Sequence, residues 1–381
     1  MIYKILAMAD IHWGVMDAIK QYQELRCVTE YLDENEIDLL VICGDYFDHK
    51  LMLNSQASIL SIKFMNELRM RSLNDKHPFK IRIFKGTHSH DYDQLEVFKP
   101  LDDGDTFRVF TTTTVEETLP GLKCLYAPDE LINTDDYMDL YYEETHEPND
   151  FMFFHGNFDV QLGGLLDRSI ENVIFSYDHF SSISHVMIGG HWHDAEEHEN
   201  MYYTRSVNRW MFGEFNPKGF IVCEYNTEDP DNYNLWRIIN RYTDTYLTFT
   251  VDTSLYKTTD DYSNLINEIT ERLDTDDHIH IRVKIVITNE ADINKTFIES
   301  IKLRYSNDRR VKVTVEDKVS KTKKKEKSES NSYEKNTYAF LFDRNKSVCD
   351  KIKEYIRITK HMDITEADAE KIANLLSAYN K

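Results

Sequence analysis

The chain has 381 residues, which exceeds an average domain and predicts a main domain with one or two smaller units. A hydrophobic content of 41% with 12% aromatics is that of a folded globular protein, and no apolar run approaches the roughly 20 residues that span a bilayer. A formal charge of −22 is opposite to that of a stand-alone nucleic-acid binder, so a polyanionic substrate would need a basic patch, bound metal or a partner with positive surface. The N-terminus carries no signal-peptide pattern, which predicts a cytoplasmic protein, phage-encoded genes in a host cytoplasm included. The five cysteines (Cys27, Cys43, Cys124, Cys223, Cys349) are odd in number and unpaired in spacing, and read as reduced thiols.

In chain order, residues 2–8 (IYKILAM) read as a buried strand that ends at Asp10, followed by a helical period over 18–32 through Ile19, Tyr22, Leu25, Val28 and Leu32. Further strands at 37–43 (IDLLVIC) and 79–84 (FKIRIF) end at Gly44-Asp45 and Gly86. The apolar runs 151–154 and 185–188 stop at His155-Gly156 and at Gly189-Gly190-His191. Each candidate site residue thus follows the C-terminal end of a strand, where open α/β sheets hold their ligands.

Two more strand-like runs occupy 202–225. Past residue 245 the pattern changes to a β-α-β-α-β order, with strands at 246–251, 279–287 and 311–315 and helices through Tyr262 to Leu273 and near 291–303. Residues 318–335 are Lys- and Ser-rich with little to bury, as expected of a linker. Two amphipathic helices follow, one through Val348, Ile352, Tyr355 and Ile356, the other opened by Thr365-Glu-Ala-Asp368 and carrying Ile372, Leu375, Leu376 and Tyr379. The predicted domains are therefore 1–245, 246–317, a linker 318–335 and a helical partner-binding segment 336–381.

The polar strand-end residues suit a binuclear metal centre, in which one ligand bridges two divalent cations and others flank them. Asp10-Ile-His12 sets a carboxylate and an imidazole two residues apart, Gly44-Asp45-Tyr-Phe-Asp48 supplies a second carboxylate as the natural bridge, His155 adds one imidazole, and His191-Trp-His193 adds two. Taken singly each is a weak signal, because His and Asp at strand ends often serve caps and turns. Their joint order is hard to produce by core packing.

These motifs resemble the calcineurin-like metallophosphoesterases, with their D-x-H, G-D-x-x-D, G-N-H-[DE], His and G-H-x-H signature. Within that family the chain is similar to the SbcD-type nuclease subunits of bacterial and phage DNA repair and recombination complexes. The narrower likeness rests on Asp10-Ile-His12-Trp-Gly14, Gly44-Asp45-Tyr-Phe-Asp48 and the stretch from Tyr203 through Ser206, Arg209, Gly213-Glu214 and Lys218-Gly219-Phe220. It implies a four-layer α-β-β-α sandwich with a small α/β capping domain and C-terminal helices, and a pair of metal ions, Mn²⁺ by preference. Asp10, His12, Asp45 and His193 would hold the first cation; Asp45, His155 and His191 would hold the second; Asp48 would orient a ligand.

The stretch Gly86-Thr-His88-Ser89-His90-Asp91 departs from the signature. Either Gly86-Thr87-His88 takes the place of Gly-Asn-His, making His88 catalytic, or Ser89-His90-Asp91 takes the place of Asn-His-Asp after a two-residue insertion. The second register keeps His and Asp together and is favoured. It makes His90 the group that stabilises or protonates the leaving oxygen, with Ser89 or Thr87 as an oxygen ligand and Asp91 in support; His88 could instead ligate metal. The resemblance further implies DNA as substrate, exonuclease action on double strands and endonuclease action on single strands, and a homodimer. Lacking a G-x-x-x-x-G-K-[ST] loop, the chain would dock an SbcC-type coiled-coil ATPase through its C-terminal helices.

Overall fold

The computed structural model describes residues 1–74, 76–128, 148–160, 175–193, 197–214, 216–255, 259–287, 295–318 and 347–360, with 364–365, 367–369 and 371–372 beyond. The chain divides into two compact units, Met1–Thr248 with Thr270–Arg282, and Phe249–Ile269 with Val283–Lys381.

In the first unit the strands are β1 (Ile2–Met8), β2 (Leu39–Cys43), β3 (Lys80–Phe84), β4 (Phe107–Phe110), β5 (Thr114–Leu119), β6 (Leu122–Ala127), β7 (Asn149–His155), β8 (Ser184–Gly190), β9 (Glu197–His198), β10 (Met201–Tyr203), β11 (Gly219–Asn226) and β12 (Asn234–Ile239). They form two six-stranded sheets, ordered β12-β11-β1-β2-β3-β4 and β5-β6-β7-β8-β10-β9. Strands β1 to β4 run parallel, as do β6, β7, β8 and β10, while β11, β12, β5 and β9 pair antiparallel at the flanks.

Strand alternation sorts the side chains into layers. Ile5, Ala7, Leu39, Val41 and Phe84 of the first sheet pack with Cys124, Tyr126, Phe151, Phe153, Val186 and Ile188 of the second, so the two sheets face each other. On the outer face of the first sheet, Leu6, Met8, Leu40, Ile42, Ile81 and Ile83 meet Leu25 and Val28, and Phe64, Met65 and Leu68 of helix Gln56–Ser72. On the outer face of the second, Met152, Phe154 and Met187 meet Phe175, Tyr177, Phe180 and Ile183 around helix Tyr177–Ser181. The order is helix, sheet, sheet, helix: the four-layer α/β sandwich expected. Near-continuous apolar strands such as LLVIC follow from burial on both faces.

Several details differ from the sequence reading, which placed no strand over β4, β5, β6 or β12. The helix expected over 18–32 is divided into Ala18–Glu24 and Arg26–Glu34 about Leu25, which is itself fully buried. Ser55 caps helix Gln56–Ser72 by accepting from Ser58 N at 3.2 Å, a helix that the apolar pattern did not single out because Ile59 and Met70 are exposed.

Beyond residue 244, helices Thr259–Thr275 and Lys295–Arg304 accompany β13 (Thr245–Asp252), β14 (Ile279–Ile287) and β15 (Val311–Asp317), joined in that order in a three-stranded sheet. Val283, Ile285 and Ile287 of β14 are buried, as are Leu265, Ile269, Phe297 and Ile301 of the helices. Helix Val348–Lys360 lies nearer the C-terminus. Linker residues 319–335, and Leu375, Leu376 and Tyr379 of the last expected helix, lie outside the described residues.

Candidate metal centre

The first unit gathers its strand-end residues at one place, all from loops that leave the C-terminal ends of parallel strands. Asp10 and His12 follow β1, Asp45 follows β2, Thr87 to Asp91 follow β3, His155 ends β7, and His191 and His193 follow β8. Backbone bonds tie the first two loops together: Asp10 N donates to Gly44 O at 3.2 Å, His12 N to Asp45 O at 3.0 Å and Trp13 N to Tyr46 O at 2.9 Å.

The backbone here is strained. Among the described residues, Asp10 (φ 52°), His12 (51°), Asp45 (48°) and His191 (98°) adopt positive φ without being glycine, at about 1–3 kcal/mol each. Such strain persists only where the surroundings over-determine it, which marks the loops as built to aim side chains. Gly86 has the complementary role: a Cβ there would stand 2.1 Å from Asp45 N and 2.3 Å from Asp45 Oδ1, so only glycine lets the third loop close on the second.

Three groups of donors result, each with ligand atoms within 4.8 Å of one another: Asp10, His12 and His193; His12, Asp45 and His90; Asp45, His155 and His191. Asp45 is common to two of them, its Oδ2 lying 3.7 Å from His12 Nε2 and 3.2 Å from His155 Nε2. The Nε2 atoms of His12 and His193 face each other at 3.2 Å, and Asp10 Oδ1 is 3.8 Å from each. Two imidazole nitrogens can share one proton between them, so the remaining lone pairs and carboxylate oxygens converge with too few protons to satisfy them. A divalent cation resolves that arrangement, and the mixture of oxygen and nitrogen donors fits one.

The electrostatics agree. Burial would raise the Asp45 carboxyl, but His155, His12 and His90 outweigh it and hold it well below the usual range. Contact with His12 brings Asp48 down to about 2. Burial lowers His12, yet Asp48, Asp45 and Asp10 overcome it and the net shift is upward. Burial, and then the neighbouring His155, take His191 down to about 4, which favours the neutral imidazole.

The family Calcineurin-like phosphoesterase matches residues 3–214, more than half of the chain. The chain belongs to this family. A search of curated proteins gave no match. A metal-dependent phosphoester hydrolase is what the family and the clustered donors together support, and the matched span contains every residue of the three donor groups.

In this phosphoesterase Asp10, His12, Asp45, His155, His191, His193 and His90 come together, and in the loop from 86 to 91 some candidates face the donors and others do not. Ser89 is exposed, as is His88, whose ring sits 5.6 Å from that of Tyr92. The oxygen that reaches the donors is Thr87 Oγ1, because the helical turn His88–Asp91 begins just after it and carries residue 89 outward. His90 turns back: its Nδ1 meets Asp48 O at 2.7 Å and its ring lies 4.7 Å from that of His12. Asp91 is buried and accepts from Gly86 N at 2.7 Å and Phe47 N at 2.9 Å, pinning the second and third loops together; burial and the Asp45 charge raise its pKa. Asp48 lies 3.3 Å from His12 Nδ1.

Three residues outside the expected set support His193. Glu214 Oε1 is 3.6 Å from His193 Nδ1, and Lys218 Nζ donates both to Glu214 Oε1 at 3.1 Å and to His193 O at 2.7 Å. Burial raises Glu214, but His193, Lys218 and the Trp210 amide bring it down to about 2. The Trp210 ring packs edge-on to His12 and His193 at 5.1 and 4.9 Å. All three lie in the Tyr203–Phe220 stretch that carried the narrower resemblance, though the sequence assigned none of them a role. No helix among the described residues is long and apolar enough to cross a membrane.

Proposed function

We propose that this phosphoesterase is a Mn²⁺-dependent DNA nuclease, acting as exonuclease on double-stranded ends and as endonuclease on single strands, and the nuclease subunit of an SbcCD-like repair or recombination complex. The observation that carries phosphodiester hydrolysis is the sharing of Asp45 between the His12 and His155 sides of the centre. Asp10, His12, Asp45 and His193 would hold one cation, and Asp45, His155 and His191 the other. When bound, the pair supplies Lewis acidity toward phosphate oxygens and a nucleophile at neutral pH. The residues do the rest. Asp45 fixes the spacing of the two halves. His90 donates its Nδ1–H to Asp48 O, so it would give a proton to the departing oxygen as the imidazolium, which carries a second proton on Nε2. Glu214 and Lys218 orient His193.

DNA as substrate, Mn²⁺ as the ion, a homodimer and docking of a coiled-coil ATPase by the C-terminal helices are supported by the motif resemblance, and the first two fit the charge balance. A chain of net charge −22 gains nothing from its own long-range field toward DNA, so neutralisation by metals and by a partner is what such a substrate requires. The test is cleavage of linear, hairpin and single-stranded DNA with Mn²⁺, alone and with the ATPase, beside Asp45→Asn, His90→Ala and His88→Ala. Hydrolysis of nucleotides or chromogenic esters with all DNA left intact would sink the nuclease reading. Loss of cleavage in His88→Ala but not in His90→Ala would move the proton-transfer role to His88.

A further inference from the structure

The Thr87 hydroxyl lies where the second group of donors converges. Its Oγ1 is 3.2 Å from Asp45 Oδ2, 3.3 Å from His155 Nε2 and 3.5 Å from His191 Nδ1. The His155 tautomer follows from its other nitrogen, since Nδ1 meets the carbonyl of Cys43 at 2.8 Å and must donate there, leaving Nε2 with a lone pair. The hydroxyl has one proton and faces two acceptors, Asp45 Oδ2 and the His155 Nε2 lone pair, together with His191 Nδ1. Given to Asp45 Oδ2, that proton leaves the Oγ1 lone pairs and the His155 Nε2 lone pair converging beside His191, an arrangement that a cation satisfies. Separately, the Thr87 amide donates to Asp45 Oδ1 at 2.6 Å, so both oxygens of the shared carboxylate are held by this one residue.

The two halves of the centre also differ in charge. Asp10 and Asp45, both buried, lie by His12 and His193, whereas among the described residues Asp45 is the one carboxylate grouped with His155 and His191. A neutral alcohol is a weaker donor than a carboxylate, and hard divalent cations are held in proportion to the charge of their oxygen ligands.

We propose that Thr87 Oγ1 is the oxygen donor of the second cation site, and that this site binds its cation more weakly than the first, so that the centre loads in two steps and free metal concentration sets the fraction that is fully assembled. The proposal rests on the metal-dependent reading above. It assigns Thr87 a role on the metal that neither Ser89 nor His88 fills, both being exposed.

Calorimetric titration of the metal-stripped full chain with MnCl₂ tests it without reference to turnover. Wild type should take up two Mn²⁺ with dissociation constants at least about tenfold apart. Thr87→Val keeps the shape and the backbone bond to Asp45 but removes the hydroxyl, and should lose the weaker site while the tighter constant stays within about twofold. Thr87→Asn, with a more strongly polarised amide oxygen, should tighten the weaker site about tenfold, and Thr87→Ser should behave as wild type. Far-ultraviolet circular dichroism of the metal-free variants separates misfolding from loss of a ligand, and the Ser and Asn variants carry the test if the Val variant does not fold. Two constants that are equal, or that do not move across the series, overturn the assignment. Failure of wild type to bind Mn²⁺ at all instead removes the metal-dependent reading on which it stands.

Discussion

Replacing Gly86 by alanine isolates how much of the activity depends on the placement of one carboxylate. The added Cβ would stand 2.3 Å from Asp45 Oδ1 and 2.1 Å from Asp45 N, against ordinary contact from 3.4 Å, so the two loops must part by about 1 Å. Gly86 does not lie in the left-handed region, so the backbone itself tolerates alanine and the perturbation is steric alone. Overpacking of this kind costs about 1–3 kcal/mol of stability, which a domain of this size survives. Misplacement of a reacting group by 1 Å costs about 10²-fold in rate. The expected outcome is a folded protein whose kcat/KM on a chromogenic phosphodiester falls about a hundredfold, with weakened metal binding and a modestly lower Tm. Activity within about threefold of wild type would refute the claim that close approach of the Gly86 and Asp45 loops sets the geometry of the centre.

Asp45→Asn should lower hydrolysis by about 10²- to 10³-fold while the metal-free protein keeps its circular dichroism spectrum; retained activity with two cations bound per chain would remove Asp45 from the bridging position. Glu214→Gln takes the charge from the group that faces His193 and Lys218, and should weaken the tighter metal constant about 10- to 100-fold, read by titration with Mn²⁺. A remote effect concerns Glu24, 2% exposed, which burial and the Asp244 charge push up to about 8 against the opposing Lys20. A carboxyl whose folded pKa is raised binds more protons folded than unfolded between its unfolded value of 4.5 and 8, so its contribution to stability declines as pH rises through that window. Glu24→Gln should therefore gain on wild type as pH rises, by on the order of a few kcal/mol near pH 8; denaturant melts at pH 5 and pH 8 that show the same difference between the two proteins would contradict it.

The periodicity of the sequence was enough to place β1, β2, β3, β7 and β8 within two or three residues, because strands buried on both faces are written as unbroken apolar runs. The metal-centre residues stood out for a related reason: each closes such a run, and polar groups at the ends of core strands have few other reasons to cluster. The short edge strand Glu197–His198 and the helix Gln56–Ser72 were not legible. The former is too short to carry a period, and the latter leaves Ile59 and Met70 exposed, which blurs its apolar face.

What the sequence by itself determined is the chemistry available: carboxylates and imidazoles in the order of a calcineurin-like phosphoesterase, and a Gly86 to Asp91 loop that departs from the pattern. Which residue of that loop meets the donors was a tertiary decision. Thr87, His88, Ser89 and His90 are contiguous, and nothing local to them distinguishes inward from outward. Asp91, buried and bonded to the amides of Gly86 and Phe47, anchors the short turn from behind, and that anchor sends Thr87 and His90 toward Asp45 and His12 while Ser89 and His88 face solvent. Hydrogen bonds between loops 44 residues apart are invisible to any pattern read along the chain, and they set the direction of these side chains.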